Sequence, residues 1–461
     1  MAAKRLYFLG ITGHAMRGLA LAVKHLGYQV SGSDEASYSI PGEDALDTAG
    51  IPWSKTADPI QLKGIDALII SGGTAADDPM LAAAREGKIA IRSYAEFVGE
   101  LVASKRRIVV AGTHGKTTTT SLIAWLLESA GRQPDFLIGV RPYNFASSVR
   151  LSDSRVMVLE GDEYRASSLD ERSKFWFYRP NVLVATSLEM DHPDMFADVS
   201  VIRQRFQELV QAMPKDGLVV YWTGSKELEA VVQKSSAPVR SYGEEGEVHV
   251  DHVAFGAAGV SFDLYRKGDY GGHFAVPLYG RHNVDNATAA VTVALAEGLS
   301  PEEIQEGLQT FRGAARRFDV VSPPQAEVRV VDDYAHHPSE IAATIEAARL
   351  HFNGRVVAVV RPHTYSRVKE LLGGYRQAVA KADLAFVTDI ESARETELEA
   401  SVSGKDITQG NGDHVIYEPD REKLVERLAE AARPDDTVLS MTVGGYDGLA
   451  AELASRLNQR R

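Results

Sequence analysis

The chain of 461 residues contains no cysteine, which excludes disulfide bonds and thiolate metal sites. It also lacks an apolar run of membrane-spanning length. Its first apolar run, Met1 to Leu9, is too short and has the wrong flanking residues for a signal peptide. Basic residues are fewer than acidic ones: the chain has 50 Lys and Arg and 63 Asp and Glu, which gives a formal net charge of −13. Non-specific nucleic-acid binding requires clustered positive charge. These absences predict a cytoplasmic protein with no nucleic-acid partner and no membrane insertion.

What the sequence does contain is an alternation of short apolar strands with helical patterns, which is typical of an α/β fold with parallel sheets. A chain of this length needs more than one core. Changes of pattern before Lys105 and near Arg316 predict three domains, 1–104, 105–318 and 319–461. Val248–Leu278 looks antiparallel and interrupts the alternation. The predicted strands are Leu6–Leu9, Ala67–Ile70, Ile108–Ala111, Val156–Leu159, Val182–Ala185, Val328–Val331, Val356–Val360, Leu384–Thr388 and Val438–Met441.

The first predicted strand runs into "GITGHAMRGLA", a glycine-rich turn that opens a helix. Such a turn lets backbone amides and a helix N-terminus approach a diphosphate. Asp34 follows another predicted strand, Tyr28–Ser33, at the position where dinucleotide enzymes carry a ribose-binding acid. The G-x-G-x-x-G spacing fails, because Thr12 and Ala15 take its second and third glycine positions. The pattern favours a diphosphate nucleotide other than NAD, with a nicotinamide dehydrogenase and a ligand-free tight turn as alternatives.

A second glycine-rich loop, "VVAGTHGKTTTTS", joins a predicted strand to a predicted helix. It resembles the phosphate-binding pattern G-x-x-x-x-G-K-[ST], although Val110 replaces the leading glycine. Lys116 would reach the β- and γ-phosphates and the Thr117 hydroxyl would bind Mg²⁺. The sequence therefore predicts an ATP site at Gly112, Thr113, Gly115, Lys116, Thr117 and Thr118.

Acidic residues gather after two further predicted strands, in "VMVLEGDEY" and "TSLEMDHPDMF". Mg²⁺ prefers oxygen ligands, and sites of α/β proteins collect their polar groups at strand ends. The two groups therefore predict metal or substrate binding rather than solvated loops. They consist of Glu160, Asp162 and Glu163 and of Glu189, Asp191 and His192.

Two pairs of polar residues have both a structural and a functional interpretation. Asn283 and Asn286 begin a predicted helix, where asparagine is often a cap, but they could also contact adenine. Arg316 and Arg317 could be a solvated surface pair or a clamp on a transferring phosphate.

The region after residue 330 adds further candidates. Asp333, His336 and His337 follow a strand, and the paired histidines raise the possibility of zinc. The H-E-x-x-H spacing is absent, so the pattern does not favour that alternative. His363 and Arg367 follow Val356–Val360 and could meet a carboxylate or a phosphate.

Taken in order along the chain, these stretches resemble the ATP-dependent Mur ligases of peptidoglycan synthesis. The matching segments are "GITGHAMRG", "AGTHGKTTT", "EGDEY", "GRHNVDNA", "ARRFD", "DDYAHHP" and "PHTYSR". In that family the phosphate loop without its leading glycine is the usual form. The resemblance implies an α/β fold of three domains: a Rossmann-like UDP-binding domain, a central P-loop ATPase domain with a parallel sheet, and a C-terminal Rossmann-like domain. It also implies ADP-forming amide synthesis through an acyl phosphate, with Mg²⁺ as cofactor.

The resemblance assigns roles to individual residues. The implied catalytic residues are Lys116, His192 and Arg317. The implied metal ligands are Thr117, Glu163 and His192. Contacts to ATP extend to Asn283, Asn286, Arg317 and Asp333. The implied UDP-sugar pocket is Gly10, Thr12, Gly13, His14, Gly18, Ser33 and Asp34, and the implied acceptor site is His337, His363 and Arg367.

Two members of the family use the carboxylate of UDP-N-acetylmuramate. One adds L-alanine in de novo synthesis, and the other adds the recycled peptide L-Ala-γ-D-Glu-meso-diaminopimelate. "EGDEYRASSLDERSKF" and Ala335 resemble the peptide ligase, whereas "RPHTYSRVKELL" and "TDIESARE" resemble the alanine ligase. Thr364, however, replaces an arginine that helps the alanine ligase hold its amino acid. We therefore predict the peptide ligase, as a monomer or dimer, with the alanine ligase and a non-ligating P-loop NTPase as alternatives.

Overall fold

The computed structural model describes residues 4–35, 46–193, 195–196, 198–393, 395 and 401–458. In this described part, no helix is long and apolar enough to cross a membrane. The chain divides into two compact units. The first unit comprises Met1–Leu188, Ile202–Glu247 and Ala289–Gly307, and the second comprises Glu189–Val201, Val248–Thr288 and Leu308–Arg461.

The first unit begins with a five-stranded parallel sheet and its helices. Apolar side chains of its strands pack with Met80 and Leu81 into one core. The elements are β1 (Arg5–Leu9), α1 (His14–His25), β2 (Gln29–Ser33), β3 (Trp53–Ser54), a 3₁₀ helix (Pro59–Leu62), β4 (Ala67–Ile70), α2 (Pro79–Glu86), β5 (Ala90–Ser93) and α3 (Tyr94–Leu101). The strand order is β3-β2-β1-β4-β5.

The chain then forms a second sheet, whose central strands contain runs of buried apolar residues, as is typical of a parallel sheet that helices cover on both faces. Its elements are β6 (Arg106–Ala111), α4 (Lys116–Ser129), β7 (Asp135–Leu137), β8 (Val149–Arg150), β9 (Val156–Gly161), β10 (Arg165–Ser167), β11 (Asp170–Ser173), α5 (Lys174–Tyr178), β12 (Val182–Ala185), α6 (Val199–Gln211), β13 (Leu218–Trp222), α7 (Lys226–Val232) and β14 (Val239–Tyr242). The strands follow the order β14-β13-β12-β6-β9-β7-β8. Only β7 and β8 pair antiparallel here, apart from the separate hairpin β10–β11.

The remaining elements begin with an antiparallel meander, β15 (Val248–Gly256), β16 (Gly259–Arg266) and β17 (Asp269–Val276), followed by α8 (Arg281–Ala296) and α9 (Pro301–Gln309). A six-stranded sheet of order β18-β19-β23-β20-β21-β22 then forms, parallel except at β18. Its elements are β18 (Asp319–Val320), β19 (Arg329–Asp333), α10 (Pro338–His351), β20 (Val356–Val360), α11 (Tyr365–Glu370), α12 (Leu372–Val379), β21 (Leu384–Val387), α13 (Gly404–Thr408), β22 (Val415–Tyr417), α14 (Arg421–Ala431), β23 (Thr437–Met441) and α15 (Leu449–Asn458).

These elements confirm the predicted α/β fold class. Each of the predicted strands, including Tyr28–Ser33, coincides with an observed strand, and the ends differ by at most two residues. The antiparallel stretch predicted over Val248–Leu278 is also present as the β15–β17 meander. The domain ranges 1–104, 105–318 and 319–461 stay a prediction.

Candidate active site

The phosphate loop between β6 and α4 depends on glycine. Gly112 has φ +147°, and Gly115, which precedes α4, has φ +80°. A Cβ atom on Gly112 would overlap the Thr186 hydroxyl and lie 2.8 Å from the Ser187 nitrogen. Val110 is fully buried inside β6. The absent glycine of the common motif therefore falls in a regular strand, where no glycine is needed.

Residues that follow β12 hold this loop in shape. The Thr113 amide donates to the Ser187 carbonyl at 3.1 Å, and the His114 amide donates to the Ser187 hydroxyl at 2.8 Å. The Thr186 hydroxyl donates to the His114 carbonyl. These hydrogen bonds fix the curvature of the loop, which lowers the cost of ordering it around phosphates.

Lys116 opens α4 with its ammonium turned back onto the loop. Nζ donates to the carbonyls of Gly112 at 2.5 Å and Thr113 at 3.1 Å, and to Glu163 Oε2 at 2.9 Å. Burial alone lowers the pKa of Lys116, but Glu163 and Asp162 outweigh it and the net pKa is raised. The side chain therefore stays charged and ready to pair with phosphate.

Oxygen donors surround the start of α4. The Thr117 hydroxyl donates to Glu160 Oε1 at 2.8 Å, and Glu160 Oε2 accepts the Gly139 amide at 2.6 Å. Thr117 and Glu163, the predicted metal ligands of this unit, are both buried. A hydroxyl and carboxylates fit Mg²⁺, which takes oxygen ligands.

Sequence reasoning left two members of this group without a specific role. Glu160 was predicted only as part of an acidic stretch, yet it is the partner of Thr117. Lys174, which begins α5, places Nζ 2.6 Å from Asp162 Oδ2. Burial would raise the pKa of Asp162, but Lys174 and then Lys116 lower it. No local spacing indicates the Lys174 contact, because the β10–β11 hairpin intervenes.

The first glycine-rich turn is stabilised by Asp34. Its Oδ2 accepts the Thr12 amide at 3.0 Å and the Thr12 hydroxyl at 2.7 Å. Gly18 has a packing function, since a Cβ there would lie 2.9 Å from Val149 Cγ2. The UDP-sugar contacts assigned to this turn stay predictions. Its other members are Gly10 with φ +88°, Gly13 and His14 at the start of α1, and Ser33 at the end of β2.

In the second unit, the structure brings His192, His363 and Arg367 together. The buried Arg367 guanidinium donates to Asp191 Oδ1 at 2.8 Å, His363 Nδ1 at 2.9 Å and His192 Nδ1 at 3.0 Å. A guanidinium can only donate, so both imidazoles accept through Nδ1 and, when neutral, carry their proton on Nε2. Metal binding by His192 at Nδ1 therefore requires Arg367 to leave. Asp191 is the member whose role sequence reasoning did not specify.

This cluster, Asp191–His192–His363–Arg367, contains the buried ion pair of Arg367 with Asp191 beside two imidazoles. Burial would raise the pKa of Asp191, but His192 and Arg367 lower it well below its usual range. Burial, with the help of His336 and Arg367, lowers the pKa of His363 to about 3. Burial also lowers the pKa of His336 to about 4. At neutral pH, Asp191 is therefore charged, whereas His363 and His336 are neutral.

The adjacent histidines at the start of α10 face different partners. His336 Nδ1 lies 2.8 Å from the Tyr334 carbonyl. His337 caps α10, with Nδ1 accepting the Ser339 amide at 3.3 Å and Nε2 lying 3.2 Å from the Met190 carbonyl. These contacts do not support a zinc ion shared by the pair. The predicted acceptor role of His337 stays a prediction.

The helix-cap interpretation of Asn283 and Asn286 is wrong. Both are buried inside α8, beyond its first residue. Asn286 Nδ2 donates to Asn283 Oδ1 at 2.8 Å, and Asn283 Nδ2 donates to the Tyr279 carbonyl at 2.8 Å. The predicted contact with adenine stays open.

Asp333 connects two of the predicted motifs. Its carboxylate accepts the Phe318 amide at 2.8 Å and the Ala335 amide at 2.7 Å. Burial is the main cause that raises the pKa of Asp333 to about 6, against the opposing effect of Arg317. Asp333 therefore fixes the backbone next to Arg317. The predicted contact of Asp333 with ATP stays a prediction.

The solvated-pair interpretation of Arg316 is also wrong. Its guanidinium is only partly exposed and forms ion pairs with Asp447 at 3.0 Å and Asp332 at 3.6 Å. The Arg317 guanidinium lies 5.7 Å from the ring centroid of Tyr334. The predicted phosphate clamp at Arg317 stays a prediction.

Comparison with known proteins agrees with this geometry. Three family models match in succession: "Mur ligase family, catalytic domain" over residues 5–106, "Mur ligase middle domain" over 110–294, and "Mur ligase, glutamate ligase domain" over 316–444.

Individual relatives match along most or all of their length. The UDP-N-acetylmuramate–L-alanine ligase of Syntrophomonas wolfei subsp. wolfei is 34% identical over 98% of this chain and 96% of its own. A solved structure of the UDP-N-acetylmuramate:L-alanyl-gamma-D-glutamyl-meso-diaminopimelate ligase from Neisseria meningitides is 35% identical, with a TM-score of 0.63, over 68% of this chain and all of that one. The Thermotoga maritima UDP-N-acetylmuramate–alanine ligase shares the fold at 22% identity, with a TM-score of 0.77 over 99% of this chain and 98% of that one. The chain therefore belongs to the Mur ligase family of ATP-dependent, amide-forming ligases.

Proposed function

We propose that the protein joins the carboxylate of UDP-N-acetylmuramate to the amino group of L-Ala-γ-D-Glu-meso-diaminopimelate, in cytoplasmic peptidoglycan recycling. The observation that carries this choice of acceptor is Thr364. It is buried, it precedes α11 with φ +62°, and its hydroxyl has no hydrogen-bond partner among the described residues. Position 364 thus offers no cation for the carboxylate of free alanine.

The nucleotide side of the reaction uses the residues of the phosphate loop. Lys116 and the loop amides bind the phosphates, and Thr117 and Glu163 hold Mg²⁺, which neutralises phosphoryl charge when bound. His192 would bind a metal ion through Nδ1 once Arg367 no longer donates a hydrogen bond to that nitrogen. The remaining ATP contacts proposed are Asn283, Asn286, Arg317 and Asp333, and the UDP-sugar occupies the turn at Gly10–Gly18 with Ser33 and Asp34.

The proposed chemistry requires no nucleophilic side chain. A carboxylate oxygen of UDP-N-acetylmuramate attacks the γ-phosphorus of ATP, the bond to the bridging oxygen breaks, and ADP leaves. The acceptor amine then attacks the acyl carbon, loses a proton and expels inorganic phosphate. Holding these groups in line and neutralising their charge accounts for catalysis of this type.

A cleft beside α11 supports a peptide acceptor. It encloses about 620 Å³, which lies within the range of small-molecule sites and exceeds the needs of free alanine. The Thr364 amide donates to the Glu391 carbonyl at 2.8 Å, so the start of α11, which carries Arg367, is joined to the segment that lines the cleft on either side of Glu391. The lining residues are Tyr365, Asp389, Ile390, Ser392, Ser401, Val402, Ser403, Gly404 and Asp406.

The second candidate is L-alanine as acceptor. The full-length similarity to alanine-adding relatives favours it. Membership of a ligase family, by contrast, leaves no support for a dehydrogenase or a non-ligating NTPase.

The acceptor is tested by measuring ADP formation with UDP-N-acetylmuramate and either L-alanine or the tripeptide. We expect a kcat/KM at least about tenfold higher for the tripeptide, and a shift towards L-alanine in Thr364→Arg, because one charged hydrogen bond changes binding by roughly that factor. Lys116→Met is the control and should form no ADP with either acceptor. Turnover of L-alanine with an inert tripeptide would refute the proposal.

A further inference from the structure

Three buried hydroxyl groups flank the β10–β11 hairpin without a hydrogen-bond partner among the described residues. They are Tyr94 Oη at the start of α3, Ser168 Oγ within the hairpin turn, and Ser173 Oγ at its end. Tyr94 is the most informative, because its side chain is large and only 5% exposed. A buried donor without an acceptor costs stability, so its presence points to a partner in another state of the protein.

Helices α3 and α5 connect Tyr94 to the acidic group of the phosphate loop. Helix α3 packs closely on α5, since a Cβ atom on Gly99 would overlap the Phe177 carbonyl. Helix α5 begins with Lys174, which binds Asp162. Burial raises the pKa of Tyr94, and the negative charge of Asp162 raises it further, so the hydroxyl keeps its proton and can act as a donor.

Asp162 has room for another donor. Its Oδ1 accepts the Tyr164 amide at 3.2 Å and its Oδ2 accepts Lys174 Nζ at 2.6 Å. A carboxylate offers about four acceptor positions. Lys116 also stabilises the charge on Asp162. When Lys116 turns to the phosphates of ATP, Asp162 loses part of that stabilisation, and a hydrogen bond from a neighbouring donor gains value.

We propose that Tyr94 is a positioning residue whose hydroxyl donates to Asp162 when the phosphate loop holds magnesium and nucleotide. The bond fixes the Asp162–Glu163 turn and thereby orients the predicted metal ligand Glu163. It also connects the segment assigned to the UDP-sugar with the ATP site, so that α3 completes the site. This inference rests on the magnesium site proposed above.

The test compares Tyr94→Phe with Tyr375→Phe in the full chain. The Tyr375 hydroxyl is satisfied, because it donates to the His336 carbonyl at 2.6 Å. Tyr375→Phe should lower the melting temperature, whereas Tyr94→Phe should leave it unchanged or raise it, because an unsatisfied group is removed. Calorimetry with ADP should show magnesium affinity about tenfold weaker in Tyr94→Phe, with an unchanged KM for UDP-N-acetylmuramate.

A double-mutant cycle identifies the partner. If Tyr94 acts through Asp162, Tyr94→Phe should have no further effect on magnesium affinity in an Asp162→Asn background. Unchanged magnesium affinity in Tyr94→Phe, or a raised KM for the UDP-sugar instead, would overturn the inference. If the wild-type protein itself showed no magnesium dependence, the proposed metal site would fail, which is a separate result.

Discussion

The phosphate loop and the Asp191–His192–His363–Arg367 cluster are held in place by different means. The loop is held by backbone conformation, with two glycines at positive φ and hydrogen bonds to residues just after a neighbouring strand. The cluster is held by side-chain charge, and its central ion pair joins residues 176 positions apart. The first arrangement is preformed, whereas the second must exchange partners to bind a ligand.

This difference bears on the acceptor role predicted for Arg367. In the structure the guanidinium donates hydrogen bonds to Asp191, His192 and His363. An incoming carboxylate would therefore have to replace at least one of these partners. When His192 is the partner that is replaced, its Nδ1 is released, which would couple acceptor binding to metal binding in the proposed mechanism.

The largest effect is expected from breaking the charge pair. Arg367→Met leaves the buried Asp191 carboxylate without its guanidinium, which should lower the free energy of unfolding by about 3–5 kcal/mol. Arg349→Met is the matched control, because its ion pair with Asp383 is far more exposed and is worth about 1 kcal/mol or less. Urea denaturation measures both. Equal losses in the two variants would contradict a charge-held cluster.

A smaller effect is expected from altering the backbone of the phosphate loop. Gly112→Ala forces a Cβ against Thr186 and Ser187 at φ +147°, at a cost of roughly 1–3 kcal/mol. Gly131→Ala is the control, since that glycine has φ +73° but open space around it. ATP affinity, measured by calorimetry, should fall only in Gly112→Ala. Normal affinity there would show that the loop is not preformed.

The last effect concerns pH and the imidazole of His336. The pKa of His336 is about 4 in the folded protein and about 6.5 in an unfolded chain. Between these values the unfolded chain binds more protons, so wild-type stability should fall by about 2 kcal/mol from pH 7 to pH 5 through this group. His336→Gln removes that contribution and should flatten the stability profile below pH 6.5. Parallel profiles would show that His336 is not held neutral.

Sequence reasoning succeeded where the information is local. The strand, the loop glycines and Lys116 form one continuous stretch, so their geometry follows from turn and helix preferences. It gave no specific role to Glu160, Lys174 or Asp191, because their contacts depend on how distant segments pack. The two asparagines of α8 show the same limit, since their position at a helix start suggested capping while burial gave them other partners.

The most direct test of the proposed function is a competition between L-alanine and L-Ala-γ-D-Glu-meso-diaminopimelate at equal concentration, with ATP, magnesium and UDP-N-acetylmuramate. Mass spectrometry of the products gives the acceptor ratio in a single reaction. The proposal predicts that UDP-N-acetylmuramoyl-tripeptide forms in large excess. A product containing only L-alanine would contradict it and would assign the chain to the alanine-adding branch.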